Sequence, residues 1–418
     1  MISCTVLLAS VAALPATTTI RGKPGAARVS MPAVAMGNAG SCYPDPTGHE
    51  ATDPNCPAYA VIKNALDVGY RSFHDALSYG NQAGLGAALK DALAEPSATL
   101  QRSDLFVMSM VYVFHNATRM ARVVRPARRQ TTQPALYACF LTPPHALAFS
   151  PKYLMGTNAT NAAVSASLAQ LQVEYIDLVM VHHRAADNSE WPRSVSTSTH
   201  FPANWLAPGN PTLNGTTSLW TAPPCALADP TWVTCQDETW AALVALRDAG
   251  TIRAIGVSNW QVANLERMKA LKMELPAVNQ IEQHIGWHDD AMLEWCASND
   301  IVVQAATPLA RSLPSLVEPG VEPVISGIAT KYGKSVAQVA LRFLVEKGVS
   351  PLPSAHSTAY QKENLDLFDF ALTDAEVRAL GLVTNVCRGE ACDGLAKCWA
   401  DPGTMMCRDD QGRAFHCP

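Results

Sequence analysis

His74 and Tyr79, His182, Ser258 with Asn259, Gln280 with Glu282, and Thr307 each stand where a short apolar run ends. A phenol and two imidazoles are proton-transfer groups, and the hydroxyl and amide side chains among them are hydrogen-bonding ones. Such a set can protonate and orient a small polar molecule. Its weak point is the phenol. An isolated tyrosine titrates near about 10, so it is a reluctant acid near neutrality unless a cation stands beside it.

For separated stretches to act together, the apolar runs must deliver their ends to one place. The strand candidates are Ala33–Gly37, Arg71–Ala76, Leu105–Met110, Ile176–His182, Ile252–Asn259, Ala277–Glu282, Ile301–Thr307 and Ser350–Ala355. Several are continuous apolar runs, as parallel strands need when both faces are covered. Helical patterns alternate with them, for example Tyr59–Val68, Ala83–Ala94, Ala162–Gln172, Glu238–Ala249 and Val336–Lys347. Strand and helix alternating over residues 31–384 predict an α/β fold, a (β/α)8 TIM barrel, whose strand ends form one face. A doubly wound sheet is the competing reading, but no Gly-x-Gly-x-x-Gly follows the first strand.

The motifs Gly69–Asn81 (GYRSFHDALSYGN), Tyr175–His182, Gly250–Asn259 and Pro276–Glu282, with Asn364 and Phe368-Asp-Phe370 near the end, resemble the aldo-keto reductases in order along the chain. The resemblance implies a TIM barrel, monomeric, that uses NADPH or NADH to reduce a small-molecule carbonyl to an alcohol. Tyr79 matches the general acid and His182 the residue that orients the substrate oxygen. Ser258, Asn259 and Gln280 match the groups that hold the nicotinamide amide, Thr307 joins the cofactor-binding set, and Glu363 and Asn364 match positions near the adenine. Other positions depart from the family. Met110 stands where the family has its lysine, and His74 where it has the aspartate that holds that lysine. Asp75 is adjacent, but alternation along a strand points it to the opposite face. Ala306 replaces the aromatic that stacks on the nicotinamide, and Ser354 and Tyr360 replace the cations that grip the 2′-phosphate, with Lys362 or His356 as the alternative cation there. The paired loss of lysine and aspartate makes physical sense, because removing one alone strands a buried charge. Two readings follow. In one, the chain is an active reductase in which a protonated His74 stands in for the missing cation; in the other, it is a barrel without turnover that binds or regulates. His74 also has the plainer reading of a polar residue satisfied in the barrel mouth.

Composition narrows the rest. The 418 residues are 48% hydrophobic and 16% charged with net charge −5, which excludes a mainly disordered chain and argues against a nucleic-acid partner. No run of about 18 apolar residues occurs, so no membrane-spanning helix is expected. Residues 1–16 read as a signal peptide without its positive start, and an organelle-targeting segment behind a signal peptide is the alternative. Sequons at Asn116, Asn158 and Asn214 also favour the secretory route or the cell exterior. So do the cysteines: of the twelve, ten remain when Cys4 and Cys296 are set aside, and they gather in loops and a Cys-rich 385–418 tail, where disulfides suit an oxidising compartment. The tail holds one histidine and no Cys-x-x-Cys, so no metal site is expected there. Cys296 reads as a buried free thiol. Two insertions enlarge the loops: 119–150, with five arginines in eleven residues, reads as a solvated loop, and 186–235 as either a lid over the mouth or decoration.

Overall fold

The computed structural model describes residues 17–37, 58–79, 81–95, 99–111, 156–182, 225, 233–310 and 322–382, with short strands at 212–213, 216–217, 406–408 and 414–416. The expected signal segment 1–16, the insertion 119–150, most of 186–235 and most of the 385–418 tail lie outside the described residues. So do the sequons at Asn116 and Asn214.

The chain opens with an antiparallel hairpin, β1 (Thr17–Ile20) and β2 (Val29–Pro32). Then follow β3 (Met36–Gly37), α1 (Ala58–Val68), β4 (Ser72–His74), α2 (Gln82–Ala94), β5 (Phe106–Val111), α3 (Thr157–Leu171) and β6 (Ile176–Val181). The second half comprises α4 (Val233–Asp248), β7 (Ile252–Ser258), α5 (Val262–Ala270), β8 (Val278–Glu282), α6 (Asp290–Ser298) and β9 (Val302–Ala306). It ends with α7 (Glu322–Tyr332), α8 (Val336–Glu346), β10 (Ser350–Pro351), α9 (Thr358–Leu365) and α10 (Asp374–Leu382). Strands β3 to β10 form one eight-stranded parallel sheet in sequential order. The ends meet where Ala35 N–H donates to Pro351 O at 3.1 Å and Gly37 N–H to Pro353 O at 3.0 Å, closing the barrel. Closure needs glycine at 37, because a Cβ there would lie 2.8 Å from Leu352 O.

Alternation along each strand separates two cores. On β5, Phe106, Met108 and Met110 face the lumen, while Val107 and Val111 face the helices. The predicted eight strands are present, each within a residue or so of its expected bounds or shorter. The hairpin lies ahead of the residue-31 start that the strand pattern suggests. Its Ile20, Val29 and Met31 enter the lumen core, and Arg21 Nη2 donates to Pro276 O at 2.6 Å, so it plugs the floor of the barrel. Helices α3 and α4 begin about five residues earlier than expected, at Thr157 and Val233. Cys235 in the first turn of α4 is disulfide-bonded to Cys225, whereas Cys296 is the buried free thiol expected.

The strands that carry the mouth residues are tied at their start by one carboxylate. Fully buried Asp177 on β6 accepts from Arg102 Nη2 at 2.7 Å, Arg253 Nη1 at 2.7 Å and Val107 N–H at 2.9 Å. Arg102 also stacks over the Tyr175 ring at 4.0 Å. Asp177→Ala leaves a half-buried guanidinium without its partner, so a loss of about 3–5 kcal/mol is expected in urea unfolding. Lys331→Ala, which breaks the exposed pair with Glu376, is expected to cost less than about 1 kcal/mol.

Candidate active site

Tyr79 is carried by a single 3-10 turn, Leu77–Tyr79, that follows β4; its N–H donates to Ala76 O at 2.9 Å. The turn delivers the phenol to His182, the residue after β6. Tyr79 Oη lies 3.4 Å from His182 Nε2, with the rings edge to face at 5.6 Å. His182 is fixed on both sides. Its N–H donates to Val111 O at 2.9 Å, and its carbonyl accepts from Asn259 Nδ2 at 3.0 Å.

His74 also packs edge to face against Tyr79, with centroids 6.1 Å apart. It is 4% exposed, and its Nε2 has no hydrogen-bond partner among the described residues. Burial pushes this imidazole down to about 4. At neutral pH it is therefore uncharged, which corrects the expectation of a protonated His74 replacing the missing cation. Met110 is fully buried in the lumen core, so the family's lysine position is apolar. Asp75 is also buried, and its Oδ1 accepts the Ala76 N–H at 2.6 Å, where it shapes the turn before Tyr79.

The amide-bearing residues converge across β7 and β8. Ser258 is in register with Gln280, and Asn259 N–H donates to Gln280 O at 2.9 Å. Asn259 Nδ2 reaches Ser258 Oγ at 3.1 Å. Asn259 has φ 61°, which asparagine tolerates, but Thr307 after β9 has φ 48°, where a β-branched side chain is strained. The Thr307 hydroxyl is buried without a partner among the described residues. Glu282 is turned toward His284 instead, Oε1 to Nε2 at 3.4 Å. The sequence reading did not include Gln304, whose Oε1 accepts from Gln280 Nε2 at 3.2 Å and whose Nε2 lies 3.4 Å from the thioethers of Met31 and Met108. The signal was present: a lone amide inside the apolar run Ile301–Thr307, on the same face as Ala306.

The remaining predicted residues lie on and before α9. Ser354 is exposed, Glu363 half-buried, and Asn364 buried beside the Tyr70 hydroxyl. Tyr360 is 59% exposed. A nicotinamide amide fits the Ser258, Asn259 and Gln280 set, with the orphaned Thr307 hydroxyl as a further donor. The adenine end offers an exposed phenol and a serine but no cation at 354 or 360.

A double-mutant cycle tests the missing pair. His74→Asp and Met110→Lys each bring an uncompensated charge into a buried mouth and are expected to cost about 3–5 kcal/mol. The double variant is expected to recover about 0.5–3 kcal/mol of their sum in urea unfolding. His74 also generates a pH dependence. The unfolded chain protonates this ring near 6.5 and the fold only near about 4, so between those values the unfolded chain holds more protons. Stability then rises with pH across that window and is lost on acidification, by roughly 3 kcal/mol at the acid end. His74→Phe is expected to remove that part of the acid loss, read as the difference in unfolding free energy between the two proteins at pH 7 and pH 4.5.

A family model described as "Aldo/keto reductase family" matches residues 47–383. The soybean (Glycine max) protein named NAD(P)H-dependent 6′-deoxychalcone synthase is 28% identical over 378 residues, 90% of this chain and 94% of that protein. Human aldo-keto reductase family 1 member A1 is 28% identical over 340 residues, 78% of this chain and 81% of that protein. Among solved structures, a Bombyx mori aldo-keto reductase in complex with NADP is 22% identical over 91% of this chain and 97% of that one, with TM-score 0.59. An aldo-keto reductase complexed with NADPH is 20% identical over 89% of each chain, also with TM-score 0.59. With a barrel of matching topology and a family match over most of its length, this chain belongs to the aldo/keto reductase family.

Proposed function

We propose that the chain is a reductase that converts a small carbonyl to an alcohol with a nicotinamide dinucleotide. The observation that carries this reading is the Tyr79 hydroxyl held 3.4 Å from His182 Nε2, beside the Ser258, Asn259 and Gln280 set. A bound reduced nicotinamide supplies hydride to the carbonyl carbon. Tyr79 Oη gives its proton to the carbonyl oxygen, and His182 Nε2 orients that oxygen. Ser258, Asn259, Gln280 and Thr307 hold the nicotinamide amide, while Glu363 and Asn364 flank the adenine.

The preferred dinucleotide in this reading is NADH. Two charge-assisted bonds to a 2′-phosphate, each contributing about 1.5–3 kcal/mol, have no cation at Ser354 or Tyr360 to make them. The second reading, a barrel that binds without turnover, is favoured by one observation: apolar Met110, fully buried in the lumen core, stands at the family's lysine position. Compartment is also proposed. The secretory route or the cell exterior is supported by the Cys225–Cys235 bond and by the apolar stretch of residues 1–16 ending in small residues.

Fluorescence titration with NADH and NADPH, followed by turnover on a carbonyl panel, tests these readings. NADH is expected to bind at least about tenfold more tightly than NADPH, and Ser354→Lys with Tyr360→Arg to reverse that order. Tyr79→Phe is expected to leave NADH affinity intact and lower turnover by about 10²–10⁴-fold. Binding of neither dinucleotide would refute the reductase reading, and binding without turnover in the native chain would select the second.

A further inference from the structure

We infer that Asn158 is an N-glycosylation site whose glycan stands at the rim of the barrel mouth. The inference rests on the secretory reading above and adds to it a modified residue and its place in the fold. Asn158-Ala-Thr160 is the one sequon whose three residues all lie among the described ones. It forms the first turn of α3. There the two required side chains diverge: Thr160 is buried, its hydroxyl donating to Gly156 O at 2.9 Å, while Asn158 and Thr157 are exposed. A glycan on Asn158 therefore displaces nothing in the core.

Its place follows from topology. Helix α3 has fifteen residues, or about 22 Å, and its last residue, Leu171, precedes β6 by only a short turn. Its C-terminus is thus at the floor, and its N-terminus is on the face where the strands end. The helix also packs against the Leu77–Tyr79 turn. Asn158 stands on the Tyr79 side of the barrel.

The disulfide is the independent observation. A Cβ on Gly156 would lie 3.3 Å from Cys225 Sγ, so the Cys225–Cys235 bond sits two residues along the chain from Asn158. Both cysteines are buried between the starts of α3 and α4. A buried bond of this kind forms as the chain folds, in an oxidising lumen, and oligosaccharide transfer to sequons belongs to the same compartment. In the transfer, the Asn158 amide nitrogen attacks the anomeric carbon of a lipid-pyrophosphate oligosaccharide. A C–N bond forms, the bond from sugar to phosphate breaks, and the lipid pyrophosphate leaves while the amide loses a proton.

The test expresses the full chain, with its own first residues, in cultured eukaryotic cells. A glycan-releasing amidase, which converts each glycosylated asparagine to aspartate, is followed by mass spectrometry of the peptide containing Asn158. The expected result is aspartate at 158 and a faster-migrating band after treatment, with Asn158→Gln reducing the mobility shift by one glycan. NADH affinity of Asn158→Gln is expected to be unchanged, which separates loss of the glycan from loss of the fold. A secreted chain with Asn158 unmodified, glycans elsewhere or not, overturns the inference and leaves the secretory reading standing. A chain retained in the cytosol with Asn158 bare overturns both. Neither outcome touches the reductase reading, which stands or falls on dinucleotide binding.

Discussion

The geometry of the mouth depends on a carboxylate at the opposite end of the barrel. Asp177 binds Arg102, Arg253 and the Val107 N–H at once, and so joins β5, β6 and β7 where they begin. These strands end at Met110 and Val111, at His182, and at Ser258 and Asn259. Because side chains alternate with a period of two, a one-residue slip between them would turn each lumen side chain toward the helices. A buried charge is a sensitive register lock, since a slipped pairing leaves both it and a guanidinium without partners. The position of His182 against Tyr79 is thus set about 17 Å away, five residues back along β6.

The same rule explains the lumen above the clamp. A dry interior tolerates a charge only with its partner, and at the mouth both members of the family's pair are absent together. Met110 continues the thioether lining formed with Met31, Met108 and Met180, and His74 is held neutral by burial. Gln280 and Gln304 bridge amide to amide across neighbouring strands, which satisfies polar groups without charge. What the site loses is not order but the family's charged pair at positions 74 and 110.

The strands and the residues at their ends were legible because parallel strands covered on both faces leave continuous apolar runs, and polar residues at such ends stand out. The hairpin was not, since Thr17–Ile20 and Val29–Pro32 are too short to carry a period and gain their burial only from the lumen they plug. The Asp177 clamp was hidden for a related reason: a carboxylate inside Tyr175–His182 is explained only by two arginines some 75 residues away on either side. The protonation state of His74 was open in the sequence as well. A histidine at a strand end is cation or neutral base according to its burial and its neighbours, and both belong to the folded chain.

Thr307 bears on whether the mouth is a working surface or a relic. Its φ of 48° is a conformation that a β-branched residue holds at a cost of order 1–3 kcal/mol, and its buried hydroxyl has no partner among the described residues. Glycine would relieve the first cost and an apolar side chain the second. Neither relief was taken, although the neighbouring aromatic position is already reduced to Ala306. On the reductase reading, the Thr307 hydroxyl would donate to the same polar ligand that the Ser258, Asn259 and Gln280 set holds.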